Sequence, residues 1–270
     1  MNQSDEQLNA LQTVEKELLA VLDSLCRAEG IRYFLLGGSA LGAVRHGGFI
    51  PWDDDIDVGM PRPDYERFLR LASDRLPGHL FLQHHGSESL CLLGFAKLRD
   101  NRTVFRETAF AALDIHHGVY IDIFPLDGGP ADQKKAKRLL RRMKWYRFIL
   151  LNRHTDLIRK KSRLAGCALS IASLLYSDAR CYRRLDALCK SYSYEEAPCI
   201  ANWHGAWGVR EVVPRDLFGE GIRVPFEDLM CPVPSDVDGY LRSLYGDYRT
   251  LPPADQRVSH HDATEIRLQG

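Results

Sequence analysis

The 270-residue chain predicts an α/β (α+β) fold, a mixed sheet flanked by helices, and three stretches carry that prediction. Residues 31–36 form an apolar run that stops at Gly37-Gly38-Ser39, the pattern of a buried strand entering a tight turn. Asp53-Asp54-Asp55-Ile56-Asp57-Val58 alternates acid with apolar residue, the period of a half-buried strand. Val119-Tyr120-Ile121-Asp122-Ile123-Phe124 is a further apolar run around one acid. Helical periodicity separates and follows them.

In chain order, Leu8, Leu11, Val14, Leu18, Leu22 and Leu25 recur at three- and four-residue spacing and predict a helix over 4–28. After the first strand, Ser39 reads as the cap of a short helix over 40–44. The free N–H groups of that helix would meet an anion in the glycine turn. In the acidic run, Asp53, Asp55 and Asp57 share one strand face, with Asp54, Ile56 and Val58 on the other. Same-face neighbours lie about 7 Å apart at Cα, close enough to share one hard cation or to bracket two. Mg²⁺ or Mn²⁺ suits such oxygen ligands, and a metal pair roughly 4 Å apart can activate a hydroxyl and stabilise a leaving phosphate oxygen.

Blander readings compete. An acidic run is usually solvated loop, but Ile56 and Val58 interleave with this one. A calcium loop starting at Asp53 would need Gly and Glu where the chain has Val58 and Asp64. Gly37-Gly38-Ser39 alone would be an ordinary turn, so the combination carries the weight.

Pro63 opens a second helix with Tyr65, Phe68, Leu69 and Ala72 inward, and strands follow over 79–83, 90–98 and 103–105. Asp122, inside the next strand, would by default be satisfied by an Arg or a backbone N–H, and Asp127 reads as turn chemistry. Residues 134–163 then hold thirteen Lys or Arg against Asp156 alone. A chain that is formally neutral overall must therefore carry the opposite charge elsewhere. This basic amphipathic stretch, followed by the apolar run 164–176, fits a segment lying on an anionic membrane surface or a solvated face in equal measure. Nucleic acid is disfavoured because no binding motif accompanies the charge. Trp203 and Trp207 in an aromatic loop suit packing or stacking, and Ser235-Asp236-Val237-Asp238 resembles a capping box for a helix to residue 245. Seven scattered cysteines without a C-x-x-C pair, and a polar N-terminus, point to a reducing, cytoplasmic setting.

The stretch from Gly38-Ser39-Ala40-Leu41-Gly42 through Trp52-Asp53-Asp54-Asp55-Ile56-Asp57 to Pro61 resembles the LicD family, within the nucleotidyltransferase fold superfamily. The likeness resumes at Lys97-Leu98-Arg99-Asp100, at residues 118–127, at 244–248 and at His260-His261. It implies a nucleotidyltransferase-like core over 1–130, a basic helical insertion over 131–195 and a C-terminal part, 196–270, completing the active-site side. It also implies a CDP-activated donor, a glycan or lipid-linked glycan acceptor, and transfer of phosphocholine or a related group. Under that resemblance Asp55 and Asp57, with Asp53, hold Mg²⁺ (or Mn²⁺), and Asp122 completes the site or deprotonates the acceptor. Gly38 and Ser39 would cradle a phosphate, Arg45, Lys97 and Arg99 would neutralise the diphosphate, and His260 and His261 would contact donor or acceptor. Nucleotidyl transfer and a silent membrane-bound scaffold are the rival expectations.

Overall fold

The structure, a computed structural model, describes residues 3–155, 176–258 and 262–268. Helix α1 (Gln3–Glu29) precedes β1 (Phe34–Leu35), α2 (Gly37–His46), β2 (Asp57–Pro61) and α3 (Arg62–Arg75). Strands β3 (Leu80–Gln83), β4 (Ala96–Asp100), β5 (Val104–Glu107) and β6 (Tyr120–Gly129) follow, then helices α4 (Gln133–His154) and α5 (Asp178–Cys189). The chain continues through β7 (Cys199–Ala201), β8 (Val212–Pro214), the hairpin β9 (Ile222–Phe226) and β10 (Leu229–Val233), α6 (Val237–Tyr245) and β11 (Ala263–Arg267).

The fold is α/β, with a mixed seven-stranded sheet. Its main path is β1-β2-β6-β4-β3, and β7 and β8 extend it from the far half of β6. Among the described strands only β2 and β6 run parallel. Both are central, so their apolar side chains disappear entirely: Val58, Met60, Ile121, Ile123 and Leu126 are all at 0 % exposure. Each such burial contributes about 1.5–3 kcal/mol, enough to carry the acids interleaved with them into the interior. Leu11, Leu18 and Leu22 of α1 join this core, as the periodicity predicts, and Leu19, outside that stripe, joins them.

A second, smaller core forms where Ala136, Leu139 and Met143 of α4 meet Cys181, Leu185 and Cys189 of α5 and Trp203. The opposite face of α4 is basic and exposed. Asp132 caps this helix by accepting from the N–H groups of Lys134 and Lys135. Among the described residues no helix is long and apolar enough to cross a membrane, and all but residue 176 of the apolar run 164–176 lies outside them.

Three local expectations are corrected. The acidic run is not a strand until Asp57, because residues 51–56 form a turn and an extended link. The 90–98 strand begins only at Ala96. Asp127 is not in a turn but within β6, where Arg62 Nε and Nη2 reach its two oxygens at 2.7 and 2.6 Å.

Candidate active site

Parallel pairing of β2 with β6 sets Asp57 directly beside Asp122. A backbone bond fixes that register, since Asp122 N–H donates to Ile56 O at 2.8 Å, while Leu36 N–H, just past β1, donates to Asp57 O at 2.9 Å. Ser39 acts here too, though not as a cap. Helix α2 starts two residues earlier than predicted, at Gly37 after an uncapped Leu36, so Ser39 is already helical. Its buried hydroxyl accepts from Asp57 N–H at 2.8 Å. The Gly pair matters because carboxylates press on it: a Cβ at Gly38 would sit 2.6 Å from Asp53 Oδ2, and Gly37 has φ +48°. Any side chain at Gly38 would push Asp53 away.

Because the link before β2 is not pleated, Asp54 does not point away from its neighbours. Carboxylate oxygens of Asp53, Asp54 and Asp55 all lie within 4.8 Å of one another, with Asp53 and Asp54 buried. Helix α1 backs this cluster: Gln12 Nε2 donates to Asp53 O at 2.8 Å. One turn on, Glu15 is 2 % exposed, and its Oε2 has no hydrogen-bond partner among the described residues. Burial, and then Asp55, Asp122 and Asp53, push the Asp57 carboxyl well above the usual range. Glu15 is raised the same way, by burial and then by Asp55, Asp54 and Asp53. Crowded buried carboxylates with this mutual repulsion form an all-oxygen donor set that a hard divalent cation fits.

Lys97 and Arg99 do not face a ligand. Both are buried, at 2 and 1 % exposure. Lys97 Nζ lies 3.0 Å from Asp122 and 3.3 Å from the centre of the Tyr120 ring, while Arg99 binds Gln83, Gly118 O and Glu107. Sheet pairing turns these two cations inward, where Lys97 supplies counter-charge to Asp122. Arg45 does line the cavity, anchored by Nη1 donating to Tyr248 O at 2.8 Å. His260 and His261 lie outside the described residues.

The carboxylates open onto a cavity of about 850 Å³, lined by Asp53, Asp55, Asp57, Asp122, Gly37 and Gly38 on the sheet side. Lys144 and Arg147 of α4, His204, Trp207, Glu211 and Tyr245 complete it. Sequence reading singled out none of these six as site residues except Trp207, as a possible stacker. Lys144 and Arg147 were hidden among thirteen cations, and Glu211 carries no local motif. Trp203 is packing, at 1 % exposure, whereas Trp207 is 43 % exposed with its ring edge-on to Tyr245 at 4.9 Å. Burial pushes the Glu211 carboxyl up to about 7, although it accepts from Trp207 N–H, and pushes the His204 imidazole down to about 3. Burial thus shifts both groups toward their neutral forms, His204 the further of the two.

Aspartates on adjoining parallel strands, beside a helix that starts on Gly-Gly, define the centre of a nucleotidyltransferase-type α/β protein. Residues 30–147 match the LicD/FKTN/FKRP nucleotidyltransferase domain, so this part of the chain is a domain of that family. The lipopolysaccharide cholinephosphotransferase LicD of Haemophilus influenzae is 28 % identical over 260 residues, covering 94 % of this chain and 96 % of the relative. The human ribitol 5-phosphate transferase FKRP is 49 % identical over 53 residues, a fifth of this chain and a tenth of that protein. An uncharacterized protein of Rickettsia typhi, RT0683, is 35 % identical over 74 residues, about a quarter of each chain.

Proposed function

We propose that this protein is a metal-dependent phosphotransferase. It moves a phosphoryl-linked group, phosphocholine in the first instance, from a CDP-activated donor to a hydroxyl of a cell-surface glycan, teichoic acid or lipopolysaccharide precursor. The observation that carries this reading is the Asp57–Asp122 pair, facing the same cavity as Asp53 and Asp55. Near full-length similarity to a cholinephosphotransferase supports the group transferred.

Asp55, Asp57 and Asp122, with Asp53, would hold Mg²⁺ or Mn²⁺, which when bound supplies Lewis acidity toward the phosphate oxygens. The chain's own residues do the rest. Ser39 fixes the Asp57 backbone, Lys97 positions Asp122, and Gly38, next to Gly37 whose N–H donates to the Tyr240 hydroxyl, brings the start of α2 to the cavity wall, where a donor phosphate can approach. Arg45 is the cation placed to offset diphosphate charge. The acceptor oxygen attacks the distal phosphorus and the bond to CMP breaks. The acceptor's proton leaves to a carboxylate of the cluster or to water, and CMP departs as the anion.

For a lipid-linked acceptor the exposed side of α4 matters. Lys134, Lys135, Lys137, Arg138, Arg141 and Arg142 line it with Trp145, suiting contact with an anionic bilayer.

The deciding experiment measures CMP release from CDP-choline and CDP-ribitol, with Mg²⁺, with EDTA, and in Asp55→Ala and Asp57→Ala. Metal-dependent CMP release, lost in both variants, supports group transfer, and the better donor names the group. Pyrophosphate release from a nucleoside triphosphate instead would mean nucleotidyl transfer. Neither product, from folded protein, would leave a scaffold.

A further inference from the structure

Arg147, half-buried on α4, has no ion pair with an acid among the described residues. Arg62 is clamped to Asp127 and Arg153, on the same helix, to Asp178. Arg147 lines the cavity, and its one hydrogen bond among the described residues runs from Nη1 to Trp203 O at 3.1 Å. A guanidinium carries five N–H donors, and one carbonyl leaves the others, and the charge, available to a ligand in the cavity. Burial accordingly lowers its proton affinity. The neighbouring His204 does not help, since burial and the positive charges of Arg147 and Arg62 keep it neutral. Lys144, three residues earlier and so on the same face of α4, lines the same cavity.

We infer that Arg147, with Lys144, forms an anion subsite that takes a phosphate ester without the help of a metal, separate from the carboxylate cluster in the same cavity. The inference rests on the reading of this cavity as a phosphotransfer site. The planar Arg fork matches two phosphate oxygens, and the compact Lys ammonium adds charge at the rim. A volume of about 850 Å³ is at the upper end for one small ligand, which leaves room for a phosphate beyond the one undergoing transfer. That phosphate belongs either to the nucleotide of the donor or to the acceptor, and the chemistry of recognition is the same.

Isothermal titration of the full chain in EDTA, with CMP and with a hexose 6-phosphate as separate probes, tests this. Wild type is expected to bind at least one probe. Arg147→Gln should weaken binding by at least about tenfold, the size of a lost charge-assisted hydrogen bond, with Arg147→Lys in between and Lys144→Gln losing about threefold. Loss confined to CMP assigns the phosphate to the donor, and loss confined to the sugar phosphate assigns it to the acceptor. Absence of metal-free binding in wild type overturns the subsite, as does unchanged affinity in folded Arg147→Gln. Should that variant not fold, unchanged affinity in Lys144→Gln, whose side chain is exposed, overturns it equally. Metal-free binding that depends on Arg147, in a protein releasing no CMP from either CDP donor, would keep the subsite and remove the phosphotransferase reading.

Discussion

Two aspartates five residues apart on β6, Asp122 and Asp127, are both buried, yet the chain treats them differently. Asp127 meets Arg62 in a two-pronged pair whose members cancel in place. Asp122 has Lys97, but its strand neighbour is Asp57, and Asp53 and Asp55 share the same cavity. Around Asp127 charge is balanced by the protein. Around Asp122 several carboxylates share one cavity, and the raised Asp57 carboxyl reflects their crowding. The contrast sets a carboxylate that holds the fold against a group of carboxylates for which we propose a ligand-binding role.

The largest effect should come from the unbalanced side. Asp57→Asn and Asp55→Asn, like EDTA, are expected to cut CMP release by on the order of 10⁴-fold, because metal and charge placement supply several kcal/mol to the reaction. In metal-free protein these same substitutions should leave the melting temperature unchanged or raise it, since they remove repulsion. A clear loss of stability without metal would show that the cluster is structural, and the comparison would fail.

The balanced side should behave in the opposite way. Arg62→Ala leaves Asp127 buried and alone, and is expected to cost about 3–5 kcal/mol in urea unfolding while the folded fraction keeps its activity. Replacing both partners, Arg62→Met with Asp127→Leu, should recover most of that loss. If the double variant is as unstable as the single one, packing and not charge is what the pair provides.

How far the sequence foretold this contrast depends on what each residue touches. Asp57 and Asp122 were legible because strand periodicity and flanking apolar residues fix their surroundings locally. Asp54 was misplaced, since pleating was extended into a link that only becomes a strand at Asp57. Lys97 and Arg99 looked like free cations until the pairing of β4 with β6 turned them inward. Glu15 and Glu211 were invisible for a related reason: each is defined by elements distant in sequence, α1 behind the acidic link and the loop before β8.

Glu211 adds a third way to bury a carboxyl, by keeping its proton. Its value near 7 in the folded chain lies above the ordinary 4.5, so between those two pH values the folded state binds more protons than the unfolded one. Stability from this group is full below pH 4.5 and falls as pH rises toward 7, by about 3 kcal/mol in all. His204 runs the other way: its folded value near 3 lies below 6.5, so its contribution is lost as pH falls from 6.5. The two slopes oppose each other between pH 4.5 and 6.5. Glu211→Gln should therefore flatten the decline from pH 6.5 to 8 and uncover a loss on acidification, read by urea unfolding across pH 4.5–8. An unchanged profile would mean Glu211 is ionised in the folded protein.

The smallest effect tests the inverse case, cations without acids. On α4 the ion pairs among the described residues are those of Arg153 and His154 with Asp178, which leaves the run from Lys134 to Lys144 facing solvent. In water such a face costs little, so the fold alone does not explain it. A surface that carries anionic lipid would. Each Lys or Arg at that surface contributes about 1 kcal/mol, so Lys137→Gln with Arg141→Gln should weaken binding to phosphatidylglycerol vesicles by about 2 kcal/mol. Binding to neutral phosphatidylcholine vesicles should be weak throughout, and salt should abolish the difference. Equal sedimentation with both vesicle types, or none with either, would make this face a solvated counterweight to the acidic remainder of the chain. The exposed Trp145 would then be a surface ring stacked on Phe148 rather than part of a membrane contact.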